Sequence, residues 1–568
     1  MNHVHDIRIS GGEVVSVFTG ETFAADVLLT GSVISGVVPP GTGGEAAEQI
    51  DATGQLIVPG FLDAHMHVES SFLTPAAFAW LTLPRGTTTV LADPHEIVNV
   101  AGRTAMRWMI DAGRSTPQTQ LWGVPSCVPA LAGFEYSGAH LDADDVDELL
   151  RWDGVRALAE VMDYRAVVSG DPRMHSIIEV AREQGAILDG HCPGLTGEEL
   201  SRYMATGIDS DHTKNTPAVV VEKARLGMTV MLQEKCLEPE VVQALLDLPQ
   251  LPPLCLVTDD LAADHIVAAG HLDHIARTAV AAGLPALDAL RALTWTPAQR
   301  LRLPDRGVVA PGKRADLVLL DGPLADFAVG SVIAGGRLVA SGGRATYAEP
   351  HPGDHPFAGS VHVAGLPEDE YRWRVDLPDG RHRFRALKVN PVDTYTEPTE
   401  VELDVADGIV AWEGRTALCW VRNRHGRDHT SCVPVTGMDL SDGAVTTTYA
   451  HDSHNLVTLG TTVRSMRAAA EAVLADDGGV AVAREGAVTA RLPLGVGGVM
   501  STAAAHDVAE ASRWVRDELG AWGWRHRNPF MSVSTLTLAV SPTMKITDLG
   551  LVDVIARDWT AQVLDCCH

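Results

Sequence analysis

Apolar and polar positions along the chain follow three different patterns. Residues 8–58 carry short alternating segments closed by glycine turns, IRIS-GG-EVVSVFTG, ADVLLTG-SVISGVVP and QLIVPG, and this period of two predicts a meander of β-strands. The same pattern returns in ADLVLLDGPLADFAVGSVIAGGRLVASGG, residues 315–343. The two stretches are expected to pair into one composite β-sandwich, residues 1–58 plus 305–350.

Between them, residues 59–304 alternate apolar runs of buried-strand type with helical stretches. TTTVLAD, QLWGVPS, VRALAEV, GAILDGH and PLCLVTDD are the strand candidates, and SIIEVAREQG and EELSRYMATG the helical ones. Repeated βα units of this length predict an α/β fold built on a (β/α)8 TIM barrel. Many His, Asp and Glu fall at the C-terminal ends of the apparent strands, where such barrels build their active sites. After the Pro/Gly/His-rich passage YAEPHPGDHPFAG, read as a linker or surface crossing, residues 360–568 form a further unit. There TALCWVRN, AVTTTYA and GVAVARE alternate with RSMRAAAEAVLAD and AAAHDVAEASRWVRDEL, which predicts a C-terminal α/β or α+β domain.

Composition narrows the function classes. At 568 residues, 46% hydrophobic and 21% charged, the chain is an ordinary multi-domain globular protein. A formal charge of −29 repels a phosphate backbone, so nucleic acid is an unexpected partner and a small base or nucleoside is not excluded. Eight cysteines, at 127, 192, 236, 255, 419, 432, 566 and 567, include no C-x-x-C pair, which argues against a zinc ribbon or thioredoxin-type site and for buried, reduced thiols. The start MNHVHDIRIS has no signal-peptide pattern and no apolar run spans a membrane, so a cytoplasmic protein with no membrane partner is expected.

The strongest local signal is the run Val58-Pro59-Gly60-Phe61-Leu62-Asp63-Ala64-His65-Met66-His67. An apolar strand ending in H-x-H turns two imidazoles to one side of the extended chain, where both can ligate one cation. The motif alone is weak. With 23 His in the chain roughly one such pair arises by chance, and His3-Val4-His5 reads as an incidental surface pair.

In this context PGFLDAHMHVESSFLTPAAFAWLTLPRGTTTVLADPHEIVNVAG, residues 59–102, resembles the signature region of the bacterial adenine deaminase family. PSCVPA, LAEVMDY, DGHCPGLTGEEL, GIDSDHT, VTDD, AHDSHNL, NPFMSV and KITDLGLVDV follow in family order, so the resemblance covers nearly the whole chain. It implies an amidohydrolase barrel, a metal-dependent hydrolase, holding two divalent ions, Mn2+ or Fe2+ before Zn2+. Glu160 would bridge them, His65, His67 and Asp259 would take the first, and His191 and His212 the second. Singly, several have a plainer reading: a salt-bridge partner for Glu160, a helix cap for His191 and His212, an N-cap for Asp259.

The implied reaction is hydrolytic deamination of adenine, with Asp259 as the proton carrier and Glu160 as a ligand. Asp93, His95 and Glu96 in LADPHE form a second polar knot, read either as active-site groups or as a Pro-stabilised, Asp-capped turn. His95 and Glu96 are the further catalytic candidates. Glu69 and Ser70 are candidates to orient a ligand histidine or touch substrate, and Asp93, His451, Asp452 and His454 to contact the base, against a plain loop role. Cys192 reads as a packed small residue. A homo-oligomer, dimer or higher, is expected.

Three rim stretches depart from the family pattern: Thr213 replaces a glutamate, Gln233-Glu234-Lys235-Cys236 an Arg-Glu-Gly-Ser run, and Leu261-Ala262-Ala263-Asp264-His265 an Arg-His-Pro-type loop. The metal set is untouched, so reaction class is better defined than substrate. An N6-substituted adenine, another aminopurine-like heterocycle, or a cyclic amide or amidine stays open, as does a non-catalytic scaffold. The zinc cytidine deaminase class is excluded, because His67-Val68-Glu69 has no P-C-x-x-C to complete it.

Overall fold

The computed structural model describes residues 5–350 and 354–564, so His3, Val4, residues 351–353 of the linker, Cys566 and Cys567 lie outside the described residues. Two compact units emerge. The first gathers the residues up to Pro94, Met109–Ser126 and the stretch from Asp142 to the linker; the second gathers His95–Trp108, Cys127–Leu141 and the residues beyond the linker.

In the first unit, eight short parallel strands make the barrel: β1 (Phe61–Met66), β2 (Thr87–Ala92), β3 (Thr119–Val124), β4 (Val155–Val161), β5 (Ile187–Gly190), β6 (Ser210–Asp211), β7 (Thr229–Leu232) and β8 (Leu254–Leu256). β1 to β5 pair in sequence order and β6 to β8 form a second parallel run. Each apolar run is buried on both faces, as a sheet wrapped by helices requires. Closure has two seams. Between β8 and β1, Met66 and Asp259 form a parallel bridge, and the Thr258 hydroxyl donates to Asp63 Oδ2 at 2.6 Å. Between β5 and β6, a Cβ on Gly190 would stand 2.0 Å from the Ser210 carbonyl oxygen, so only glycine lets these strands approach.

Strand Gln55–Pro59 pairs antiparallel with Leu317–Asp321 inside one seven-stranded sheet, which joins the two regions of matching pattern in the sequence. Ile9, Val27, Leu29, Ile57, Leu317 and Leu319 fill the apolar layer there.

The second unit contains a nine-stranded sheet in which all pairings but one are antiparallel. Helix Val463–Ala475 lays Met466, Ala469, Ala470 and Val473 onto Phe384, Leu418 and Ala444. This antiparallel order makes it α+β. The six described cysteines are all buried. Among the described residues no helix is long and apolar enough to cross a membrane.

Candidate metal centre

The barrel strands deliver His65, His67, Glu160, His191, His212 and Asp259 to one buried site at their C-terminal ends. His65 and His67 leave the end of β1 two residues apart and so project to the same side. Glu160 occupies the penultimate position of β4, and His191, His212 and Asp259 follow β5, β6 and β8 closely.

Glu160 divides its carboxylate. Oε1 lies 3.4 Å from His67 Nε2, while Oε2 lies 2.6 Å from His191 Nδ1 and 3.2 Å from His212 Nε2. Asp259 Oδ1 lies 3.3 Å from His67 Nε2 and 3.7 Å from His65 Nε2. Asp259 sits at φ 57°, a left-handed conformation uncommon for a residue with a side chain, and its N–H donates to the His65 carbonyl at 3.3 Å. Tertiary pairing with β1 therefore sets where this carboxylate points.

The groupings that could hold a cation include His65 with His67 and Asp259, and His65 with Glu160 and His212. The donor set passes a fit test. Buried His65 Nε2 has no hydrogen-bond partner among the described residues although it faces a carboxylate, as a nitrogen awaiting a cation does. Electrostatics agree. Burial alone would raise the Glu160 and Asp259 carboxyls, yet His191 and His212 hold the first, and Lys235, His65 and His67 the second, well below the ordinary range. Burial disfavours a charged His65, but Asp189 and Asp259 draw its pKa well above normal. A pocket that keeps Glu160 and Asp259 ionised and favours positive charge at His65 is one suited to a cation.

Behind the centre stands a layer that sequence reading missed. Asp189 Oδ2 lies 2.8 Å from His65 Nδ1, while its Oδ1 accepts from Arg300 at 3.1 Å and from the Ser210 hydroxyl at 2.5 Å. Burial opposes the Asp189 charge, but His65 and Arg300 outweigh it and keep the carboxyl low. An ionised Asp189 fixes the proton on Nδ1 and aims the Nε2 lone pair at the site. The available signal was Asp189-Gly190-His191: an aspartate two residues before a ligand on a strand shares its face. His67 Nδ1 is oriented by the Asp93 carbonyl at 3.1 Å. Ser70 donates to Asp260 at 2.6 Å, and Glu69 is fully buried.

Two of the departing rim residues, Gln233 and Lys235, reach this centre. The Gln233 amide donates to Asp259 Oδ2 and, at 3.1 Å, to the His212 carbonyl; Lys235 Nζ lies 3.5 Å from Asp259 Oδ2. Thr213 donates to Asp211, whose carboxylate also accepts from the Cys192 N–H at 2.9 Å and from buried Lys223 at 2.9 Å. Burial pushes the Cys192 thiol well above the usual range, in keeping with a packed residue and not a nucleophile.

The second unit collects His95, Glu96, His451, Asp452 and His454 into a buried cluster of its own. Glu96 Oε1 lies 2.8 Å from His451 Nε2 and 3.4 Å from His95 Nε2; Oε2 lies 2.6 Å from His454 Nε2. Tyr449, which the sequence reading did not single out, donates to Glu96 at 3.3 Å. His95 Nε2 is 3.9 Å from Asp452 Oδ1.

The amidohydrolase family model matches residues 56–339, and that of the adenine deaminase C-terminal domain matches residues 393–558. An adenine deaminase 2 from Rhizobium johnstonii is 38% identical over 99% of this chain and 94% of its own length. An adenine deaminase from Klebsiella pneumoniae is 35% identical over 99% of this chain and 94% of its own. Among solved structures, an adenosine deaminase from Xanthomonas campestris with bound zinc is 16% identical, with a TM-score of 0.47, covering 61% of this chain and 95% of that one. Fold and family match define a hydrolase of the amidohydrolase class, acting on C–N bonds through a metal-dependent barrel. Within that class, the chain belongs to the adenine deaminase family.

Proposed function

We propose that this chain hydrolyses adenine to hypoxanthine and ammonia, with two divalent cations, Mn2+ or Fe2+ before Zn2+, held by His65, His67, Glu160, His191, His212 and Asp259. One observation supports the metal assignment: Glu160 turns one oxygen to His67 and the other to His191 and His212, so its carboxylate could serve two cations. His65, His67 and Asp259 would hold the first ion, and His191 and His212 the second. Imidazole nitrogens with carboxylate oxygens suit first-row divalent metals.

Bound there, such cations supply the charge that brings a water toward ionisation near neutral pH. The chain's own residues handle the protons. Asp259, whose Oδ2 accepts a Gln233 N–H with Lys235 Nζ 3.5 Å away, takes the proton lost by water. It returns that proton to the exocyclic nitrogen as oxygen replaces it at C6, so adenine and water give hypoxanthine and ammonia. Glu160, enclosed by three imidazoles, acts as a ligand and not as a base. His95 and Glu96 are assigned to proton handling, and Glu69, Ser70, Asp93, His451, Asp452 and His454 to contacts with the base. The domain reading is a composite β-sandwich of residues 1–58 with 305–350, a barrel of 59–304 and a C-terminal domain of 360–568. Purine salvage or adenine catabolism in the cytoplasm, by a homo-oligomer, completes the proposal.

The test is a purine panel offered to protein loaded anaerobically with Mn2+ or Fe2+, following ammonia and hypoxanthine, with metal content measured on the same preparation. About two ions per chain and ammonia from adenine are expected. An alkylamine from an N6-substituted adenine, with no ammonia from adenine, would move the assignment to that substrate. Glu160→Gln should lose metal and activity together, since two cations repel across a short gap without the bridging charge.

A further inference from the structure

Glu234, His265 and His274 come together in the first unit from three different elements: the 3-10 turn Glu234–Cys236 after β7, helix Ala263–Ala268 and helix Leu272–Ala281. None belongs to the centre described above. Glu234 Oε2 lies 3.2 Å from His265 Nε2, and Oε1 lies 3.3 Å from His274 Nε2. The two rings stand 5.4 Å apart with their planes at 66°. Donor atoms from all three residues lie within 4.8 Å of one another.

Each imidazole nitrogen stands from one carboxylate oxygen at close to the spacing of about 3.3 Å that tetrahedral zinc, with bonds of about 2.0–2.1 Å, sets between neighbouring donors. His265 Nε2 is shielded from solvent and makes no well-aligned hydrogen bond despite its closeness to the carboxylate. The side chains of Glu234, His265 and His274 are 29%, 33% and 21% exposed, so the cluster lies near the surface of the unit. Facing the two imidazoles, Glu234 stays ionised well below the ordinary carboxylate range.

We propose that Glu234, His265 and His274 form an additional binding site for a borderline divalent cation of the zinc type, distinct from the strand-end centre. Two imidazoles and a carboxylate are a common zinc ligand set that leaves further positions to water. The site also grips a functional turn. Glu234 lies between Gln233 and Lys235, the two residues that face Asp259, so an ion on its carboxylate ties that turn to two helices.

Zn2+ binding to wild type and to His265→Ala/His274→Ala is compared by elemental analysis after gel filtration and by calorimetric titration. The strand-end centre is common to both proteins, so its occupancy cancels, and the difference is independent of whether adenine is the substrate. Wild type should hold one more equivalent than the double variant, and Glu234→Gln should weaken that equivalent about tenfold or more. Equal stoichiometry in a variant with wild-type circular dichroism would overturn the site. A measurement on unaltered protein stands beside it: Zn2+ should protect both His265 and His274 from diethyl pyrocarbonate, read by mass spectrometry. Modification of the two residues at the same rate with and without Zn2+ would equally overturn it.

Discussion

Asp189 Oδ2 stands 2.8 Å from His65 Nδ1, and Arg300 and Ser210 hold the other oxygen of the same carboxylate. The arrangement favours the proton on Nδ1, so that in the neutral ring the Nε2 lone pair faces the candidate metal centre. Three residues absent from any ligand motif thus decide whether His65 can serve as a ligand.

Asp189→Asn keeps the shape but removes the charge that holds the proton on Nδ1. Metal affinity is expected to fall about 10- to 100-fold, with turnover restored in part by excess metal. A metal titration scored by activity checks it; unchanged affinity would assign the His65 tautomer to another group.

Asp259→Asn should retain much of its metal while turnover falls about 10²-fold or more, because an amide oxygen can stay near the ion but cannot carry the proton. The pH profile adds a sign. With its carboxyl held well below the ordinary range, Asp259 remains ionised as pH falls through the usual carboxylate region and is protonated only below it. An acid limb of kcat/KM nearer neutrality should therefore persist in form in the variant, as the titration of some other group. Near-normal turnover at full metal occupancy would eliminate Asp259 as the proton carrier and move attention to His95 and Glu96.

Lys223 is buried and donates to Asp211 at 2.9 Å and to the Cys192 carbonyl at 2.6 Å. Lys223→Met strands a buried carboxylate, so a loss of about 3–5 kcal/mol in stability is expected. Urea unfolding measures it, and a loss below about 1 kcal/mol would mean that Asp211 finds another partner.

Burial lowers the pKa of Lys545 from 10.5 to about 7. Between those values the unfolded chain binds a proton that the folded chain does not, so this residue costs stability progressively as pH falls from about 10 to 7 and no further below. The urea midpoint of wild type should rise over that interval relative to Lys545→Met, which should be the more stable of the two at pH 7. Parallel midpoints across the interval would show that Lys545 keeps its proton when folded.

The sequence by itself determined the parts that depend on local order. Successive apolar runs, several of them ending in His, Glu or Asp, point to a barrel with candidate chemistry at the strand ends, because a strand buried on both faces must be largely apolar and its polar residues fall where it stops. That residues 8–58 and 315–343 share a pattern was legible too, whereas the particular pairing of Gln55–Pro59 with Leu317–Asp321 came from the tertiary structure. What only the tertiary structure decided is which polar group faces which. Asp189 and His65 are separated by 124 positions and Gln233 and Asp259 by 26, and no local period encodes such distances. Glu96 was read beside His95 in one turn, but its partners His451 and His454 arrive from more than 350 residues away. Glu234, His265 and His274 likewise meet only because a turn and two helices pack together. A hydrogen bond or a ligand pair is set by three-dimensional proximity at about 3 Å, which strand closure and helix packing create after the local pattern has been satisfied.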